Sequence, residues 1–304
     1  MTEEVRSQLI DWAETYNDPA YFVEDPIAFP REFASRGASL QDIEIAAVFA
    51  AHLAWGRRAM IVRDCQRLFD EMDWRPYDYI MAHSYRDDNT SLHRTIKWSE
   101  IAHICNHLYH FYLAEQTRAS RTRSTLVFPE GYARPLESDE QTSAPGTCAT
   151  LGPLSTGGTP EAPSGLSPFP YLSSPNTRAG RAPDAALIPH ARSLEVLSIE
   201  EIRTTIFRQK EDKKAANKKI NMMRRWLVRD DGKVDLGVWK HTSPADLIIP
   251  LDVHVYTQAA ALGLTDRRQK DIVTALQITD AFKEIWPDDP VKGDFALFGY
   301  GVTR

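Results

Sequence analysis

Residues 218–255 read KKINMMRRWLVRDDGKVDLGVWKHTSPADLIIPLDVHV. Ala216, Ile220, Met223 and Leu227 recur at helical spacing, which predicts a helix from Ala215 to Val228. Asp230-Asp231-Gly232 interrupts that pattern. Ser243-Pro244-Ala-Asp246 starts a short helix, and Asp252 starts another that ends at Gly263. At about 100° per residue, Lys219 flanks the apolar face of the first helix. Lys218 lies almost opposite that face, so it points into a groove or into solvent. A lysine in a basic helix is ordinarily a surface charge, and an aspartate at a helix start is ordinarily a cap. Brought together, Lys218 and Asp252 have a second use. Neighbouring cations, here Lys219, Arg225 and Arg229, weaken a lysine's hold on its proton and free an amine for attack. A carboxylate at a helix start can take that proton and stabilise positive charge developing on a sugar ring.

The same helical reading extends outward. Ser39-Leu-Gln-Asp42 caps an apolar run from Ile43 to Trp55 that Gly56 ends. Arg57 to Met72 is amphipathic, Pro76 starts a short segment, and Ser99 to about Glu115 is helical. Ser198-Ile-Glu-Glu201 is a capping box. Thr279–Ile285 and Val291–Phe298 complete the set. Strand signals are weak and no internal repeat is visible, so the expected class is all-α. Residues 121–190 stand apart, with 11 of the 19 prolines, 7 of the 15 glycines and no lysine. Such a composition cannot bury enough apolar surface to offset chain entropy. The expected organisation is one folded unit from 1–117 and 194–304, interrupted by a low-complexity, disordered insert at 118–193.

The net charge is −6, but it is unevenly spread. Residues 1–30 carry seven acids against Arg6, whereas residues 203–229 carry ten bases against Glu211 and Asp212. That basic stretch is either a solvated helix face or a phosphate-facing patch. With the Lys/Asp pair, it points to the deoxyribose of DNA. The three cysteines show no C-x-x-C spacing, which disfavours zinc ribbons and iron–sulfur clusters. The sparse thiols suit a reducing compartment. The acidic first residues lack a signal peptide's apolar run, and no apolar stretch is long enough to span a membrane. A cytoplasmic protein with no cofactor is expected.

Two other readings stay open. His103, His107 and His110 share a helix face and would suit a metal-dependent hydrolase, although no H-E-x-x-H is present. A non-catalytic nucleic-acid-binding protein could use the basic helix with aromatic stacking by Trp55, Trp226, Trp239 or Phe298.

Lys218-Lys-Ile-Asn221 resembles the K-x-A-N start of the lysine-bearing helix of helix-hairpin-helix DNA glycosylases. Ile249-Pro250-Leu251-Asp252-Val253-His254-Val255 resembles their P-V-D-x-H-V element, whose aspartate is catalytic. The spacing is similar to that of the archaeal 8-oxoguanine glycosylase branch. Lys292-Gly-Asp294-Phe-Ala-Leu-Phe298 is similar to the L-D-x-L-L-W element that recognises the base there. Ala54-Trp55-Gly56-Arg57-Arg58 is a looser match to a pocket-lining segment. The resemblance implies a two-lobed helical fold of that type, with Lys218 and Asp252 catalytic. It makes Asp294, Phe298 and Trp55 base-binding. Lys219, Arg225, Arg229 and Arg58 would face DNA phosphate, and Lys219 is also the fallback nucleophile. It implies excision of a damaged base, 8-oxoguanine first. The L-P-G-V-G hairpin and the four-cysteine cluster of the glycosylases are missing. The chain more closely resembles the domain of unknown function 2400 family, through DIEIAAVFAAHLAWGRR at 42–58, HRTIKWSE at 93–100, NMMRRWLVR at 221–229 and DPVKGDFALFGYG near the end.

Overall fold

The computed structural model describes residues 1–124 and 192–302, with side chains described for 1–114 and 192–301. The chain is mostly helical. Residues 1–119 and 192–302 belong to one compact unit. The insert expected at 118–193 lies outside the described residues except at its two edges.

The first half comprises α1 (Glu3–Tyr16), α2 (Ala28–Ser35), α3 (Leu40–Leu53), α4 (Arg58–Glu71) and α5 (Pro76–Met81). A small antiparallel hairpin follows, β1 (Ser91–His93) with β2 (Ile96–Lys97), and then α6 (Trp98–Ser124). After the insert come α7 (Ile199–Glu201), α8 (Lys218–Val228), α9 (Val253–Ala261), α10 (Ile272–Lys283) and α11 (Gly293–Val302). No helix of the described residues is long and apolar enough to cross a membrane.

The cap signals place their helices. Ser39 Oγ accepts from the Asp42 amide and starts α3. Ser198 and Glu201 form the reciprocal capping box. That helix is nevertheless only three residues long, because the chain widens into a π turn at Ile202–Ile206. The α8 helix starts at Lys218 rather than Ala215, because Asn217 takes a left-handed conformation at φ 48°. α10 begins at Ile272, seven residues before the expected Thr279, with the Asp271 carboxylate capping the Thr274 amide.

Two apolar cores result. The larger surrounds α3, which is buried on nearly every side, with α2, α4, α6 and α8 packed about it. A helix apolar all round belongs inside a core. The smaller core joins Leu9 and Ala13 of α1 to Ile249, Leu251, Ala259, Ile278, Phe282 and Leu297. α1 lies along α11, close enough that a Cβ on Gly299 would sit 2.2 Å from the Tyr16 ring. α11 serves both cores, with Phe295 in the larger and Leu297 in the smaller. α8 belongs to the first and α9 to the second.

The chain's return after the insert is held by a buried carboxylate. Glu44, fully buried in α3, accepts from Trp239 Nε1 at 2.7 Å, from the Leu194 amide at 3.0 Å, from Tyr112 OH at 3.2 Å and from Ser193 Oγ. Burial outweighs these four donors and pushes the Glu44 carboxyl up from 4.5 to about 7. The protonated form therefore favours the fold. This contribution is complete below pH 4.5 and is lost as pH rises through about 7. Roughly 3 kcal/mol is at stake, because a tenfold difference in proton affinity between folded and unfolded chain is worth about 1.4 kcal/mol. In urea unfolding from pH 4 to 8, Glu44→Gln is expected to flatten the decline in stability that the wild type shows. An equally steep decline in the variant would count against this assignment.

Candidate functional site

A cleft of about 860 Å³ opens between the two cores. Its floor is where α8 begins and α9 is capped. Asp252 is the N-cap of α9: its Oδ1 accepts from the His254 and Val255 amides, both at 2.9 Å. Its Oδ2 faces Lys218 Nζ at 3.7 Å. The Lys218 side chain is 30% exposed and the Asp252 side chain 33%, so a ligand in the cleft can reach both. Lys218 Nζ also donates to the Ala54 carbonyl at 3.3 Å. Lys219 Nζ donates to the His52 carbonyl at 2.6 Å. The two amines therefore sit at the C-terminal end of α3, where the helix dipole and its unpaired carbonyls favour cations. Burial pushes the Lys219 amine down to about 8; the Lys218 charge acts in the same direction and Glu100 opposes it.

Every site residue expected from the sequence except Arg229 lines this cleft. Phe298 packs its ring against Phe22, with centroids 5.4 Å apart, and the Arg58 guanidinium lies 6.0 Å from the Phe298 centroid. Trp55 is half-buried and carries the Arg94 guanidinium at 4.1 Å from its ring. Asp294 accepts from Arg225 Nη1. Burial raises the Asp294 carboxyl above its ordinary range; Arg225 opposes that and the nearby Asp252 adds to it. Arg58 is exposed at the rim.

Arg225 and Arg229 depart from the expected phosphate-facing role. Both are buried. Arg225 pairs with Asp235 at 3.3 Å and with Asp294. Arg229 pairs with Asp289 at 2.8 Å, Asp231 at 3.0 Å and Asp235. Their charges are spent on carboxylates from three later segments, so neither is offered to a ligand's phosphate. The acidic Asp230-Asp231-Gly232 turn belongs to this network, with Asp231 also accepting from Asn17 Nδ2 at 2.7 Å.

The histidine face does not assemble. His103 and His110 are exposed, and His107 Nδ1 donates to the Thr205 carbonyl. Among the described residues, no three His, Cys, Asp or Glu side chains converge to hold a metal ion.

Asp25 was missed in the sequence. It lines the cleft, half-buried, with Oδ1 accepting from the Ile27 amide at 3.2 Å and Oδ2 3.8 Å from Arg58. Burial raises its carboxyl above the ordinary range. In the sequence it is one of seven acids before residue 30, with nothing local to distinguish it. The backbone carbonyls of His52 and Ala54 were equally illegible, since every residue has one.

Residues 25–124 and 189–303 match a family described as Protein of unknown function (DUF2400). No curated protein and no solved structure matches the chain.

Proposed function

The chain belongs to the DUF2400 family, whose description assigns no activity, and from the cleft we propose that it is a DNA base-excision glycosylase. The observation that carries this reading is the reachable amine–carboxylate pair, Lys218 Nζ and Asp252 Oδ2 at 3.7 Å. The two cores flanking a cleft, one bearing the lysine and the other the aspartate, suit the two-lobed helix-hairpin-helix glycosylase arrangement. A base whose glycosidic bond is to be cut must leave the duplex and enter a pocket. Phe298 and Trp55 supply apolar walls for a flat ring, and Asp294 supplies an acceptor for a ring N–H.

The proposed reaction uses the facing amine and carboxylate. Asp252 takes the proton from Lys218, and the freed amine attacks C1′ of the sugar. As the C1′–N bond breaks, the base departs with its electron pair and takes up the proton that Asp252 accepted. The carboxylate so restored balances the positive charge on the sugar. A proton then passes from the Lys218 nitrogen to the ring oxygen, and the sugar opens to leave an iminium between Lys218 and C1′. That iminium is competent for β-elimination of the 3′ phosphate. A damaged purine, 8-oxoguanine first, is the substrate that the sequence resemblance implies. With Arg225 and Arg229 buried, phosphate contact falls to exposed cations: Arg58 at the rim and Lys210 and Lys214 ahead of α8.

Borohydride trapping tests this. The protein is mixed with duplexes carrying 8-oxoguanine, uracil or an abasic site. A covalent adduct is expected with the wild type and none with Lys218→Gln, and the duplex that traps identifies the lesion. Salt-sensitive binding without an adduct or excision on any duplex would instead leave a non-catalytic nucleic-acid-binding protein.

A further inference from the structure

The wall that holds the Lys218 amine is a turn at the end of α3. Beyond Leu53 the chain passes through Ala54 and Trp55 to Gly56, which adopts φ +107°. The β1–β2 hairpin grips this turn from the far side. His93 Nε2 donates to the Trp55 carbonyl at 2.9 Å, since a carbonyl can only accept. His93 Nδ1 is hydrogen-bonded to Asp64 Oδ2 at 2.8 Å. Arg94, at the hairpin tip, lies over the Trp55 ring and against Gly56, where a Cβ would stand 2.5 Å from Arg94 Nη1.

The grip is anchored in α4. Asp64 accepts from Arg63 Nε at 2.9 Å and Arg67 Nη1 at 3.3 Å, and the same Arg67 nitrogen reaches the Leu92 carbonyl at 3.1 Å. His93 is 0% exposed and Asp64 1%. Hydrogen bonds in such surroundings are strong and costly to leave unmade, so the network tolerates little displacement. One residue before the gripped carbonyl is the Ala54 carbonyl, which accepts from Lys218 Nζ.

We propose that His93 is a positioning residue for the cleft amine: anchored on Asp64, it fixes the Ala54–Gly56 turn through the Trp55 carbonyl and so sets where Lys218 Nζ stands relative to Asp252. Its catalytic consequence rests on the glycosylase reading, whereas its geometric consequence does not. A hairpin that only stabilised the fold would leave the amine's surroundings unchanged when loosened.

The full chain, reductively methylated with ¹³C-formaldehyde, is compared by NMR across variants. The Lys218 signal is the one absent from Lys218→Gln. His93→Leu and, separately, Arg94→Met are expected to move that signal while those of Lys270 and Lys283 stay in place. His93→Gln, whose amide nitrogen can replace imidazole Nε2 as donor to Trp55, is expected to keep it near the wild-type position. On unmethylated protein, His93→Leu should slow single-turnover adduct formation by about tenfold to a hundredfold, as a misplaced reacting group does. Duplex affinity should be unchanged, and His93→Gln should recover most of the rate. Because His93 is buried, the leucine variant is open to misfolding; Arg94 is exposed, so Arg94→Met carries the comparison in that case. A Lys218 signal that stays put in every folded variant overturns the proposal. A wild type that forms no adduct defeats the glycosylase reading alone, because the methyl-lysine spectra still decide whether the hairpin positions the amine.

Discussion

Asp252→Asn is expected to lower base excision by about a thousandfold, on the order of 4 kcal/mol of transition-state stabilisation, while leaving the fold intact. Asp252 does two jobs with different oxygens. Oδ1 caps α9, and Oδ2 faces Lys218 Nζ. Asparagine keeps an acceptor for the His254 and Val255 amides and is as good a cap as aspartate. It loses the negative charge that takes the amine's proton and balances the charged sugar. The ion pair itself adds little stability, since both side chains are about a third exposed. Single-turnover excision and a thermal melt, read together, separate the two jobs. Wild-type activity in Asp252→Asn would remove the carboxylate from the mechanism. A collapse of the melt would show that the charge of Asp252, not the cap acceptor that asparagine keeps, holds the fold at this position.

Arg229→Met is expected to cost about 3–5 kcal/mol of stability, the usual consequence of removing one partner from a buried charge network. For a unit of this size the melting temperature should fall by roughly 10 °C. Arg229 is 1% exposed and binds Asp289 through two nitrogens, Nε and Nη2, both at 2.8 Å. It also meets Asp231 and the buried Asp235, and its guanidinium lies 5.1 Å from the Phe295 ring centroid. Methionine replaces the stem and none of the charge. Asp231, Asp235 and Asp289 would then face one another with Arg225 pairing only Asp235 among them. The Asp235 carboxyl is already pushed up by burial, which the two arginines oppose. Without Arg229 it shifts further toward its protonated form, so the variant should recover part of its loss on acidification and weaken as pH rises. Urea midpoints at pH 5 and pH 8 check both statements. An unchanged midpoint, with duplex binding lost instead, would restore Arg229 to the phosphate-facing role expected from the sequence.

The helix starts that could be read in advance are those whose cause is local. Ser39, Ser198 and Asp252 each reach a backbone amide two or three residues ahead, so a window of a few residues contains the whole interaction. Where the determinant was a single backbone angle, the reading slipped: the left-handed Asn217 moved the start of α8 from Ala215 to Lys218. The β1–β2 hairpin was invisible because strands of three and two residues are too short to show alternation. Yet that hairpin carries His93, on which the placement of the cleft turn depends.

The sequence by itself determined the helical class, most cap positions and the candidacy of Lys218 and Asp252, because periodicity and capping act within one or two helical turns. The tertiary structure alone decided how the basic charge is used. Along α8, Lys218, Arg225 and Arg229 look equivalent. Only the folded chain brings Asp235, Asp289 and Asp294 against two of them and leaves Lys218 facing Asp252 in the cleft. A charge's role is set by what lies within a few ångströms of it, and here those partners are 6 to 69 residues away in the chain.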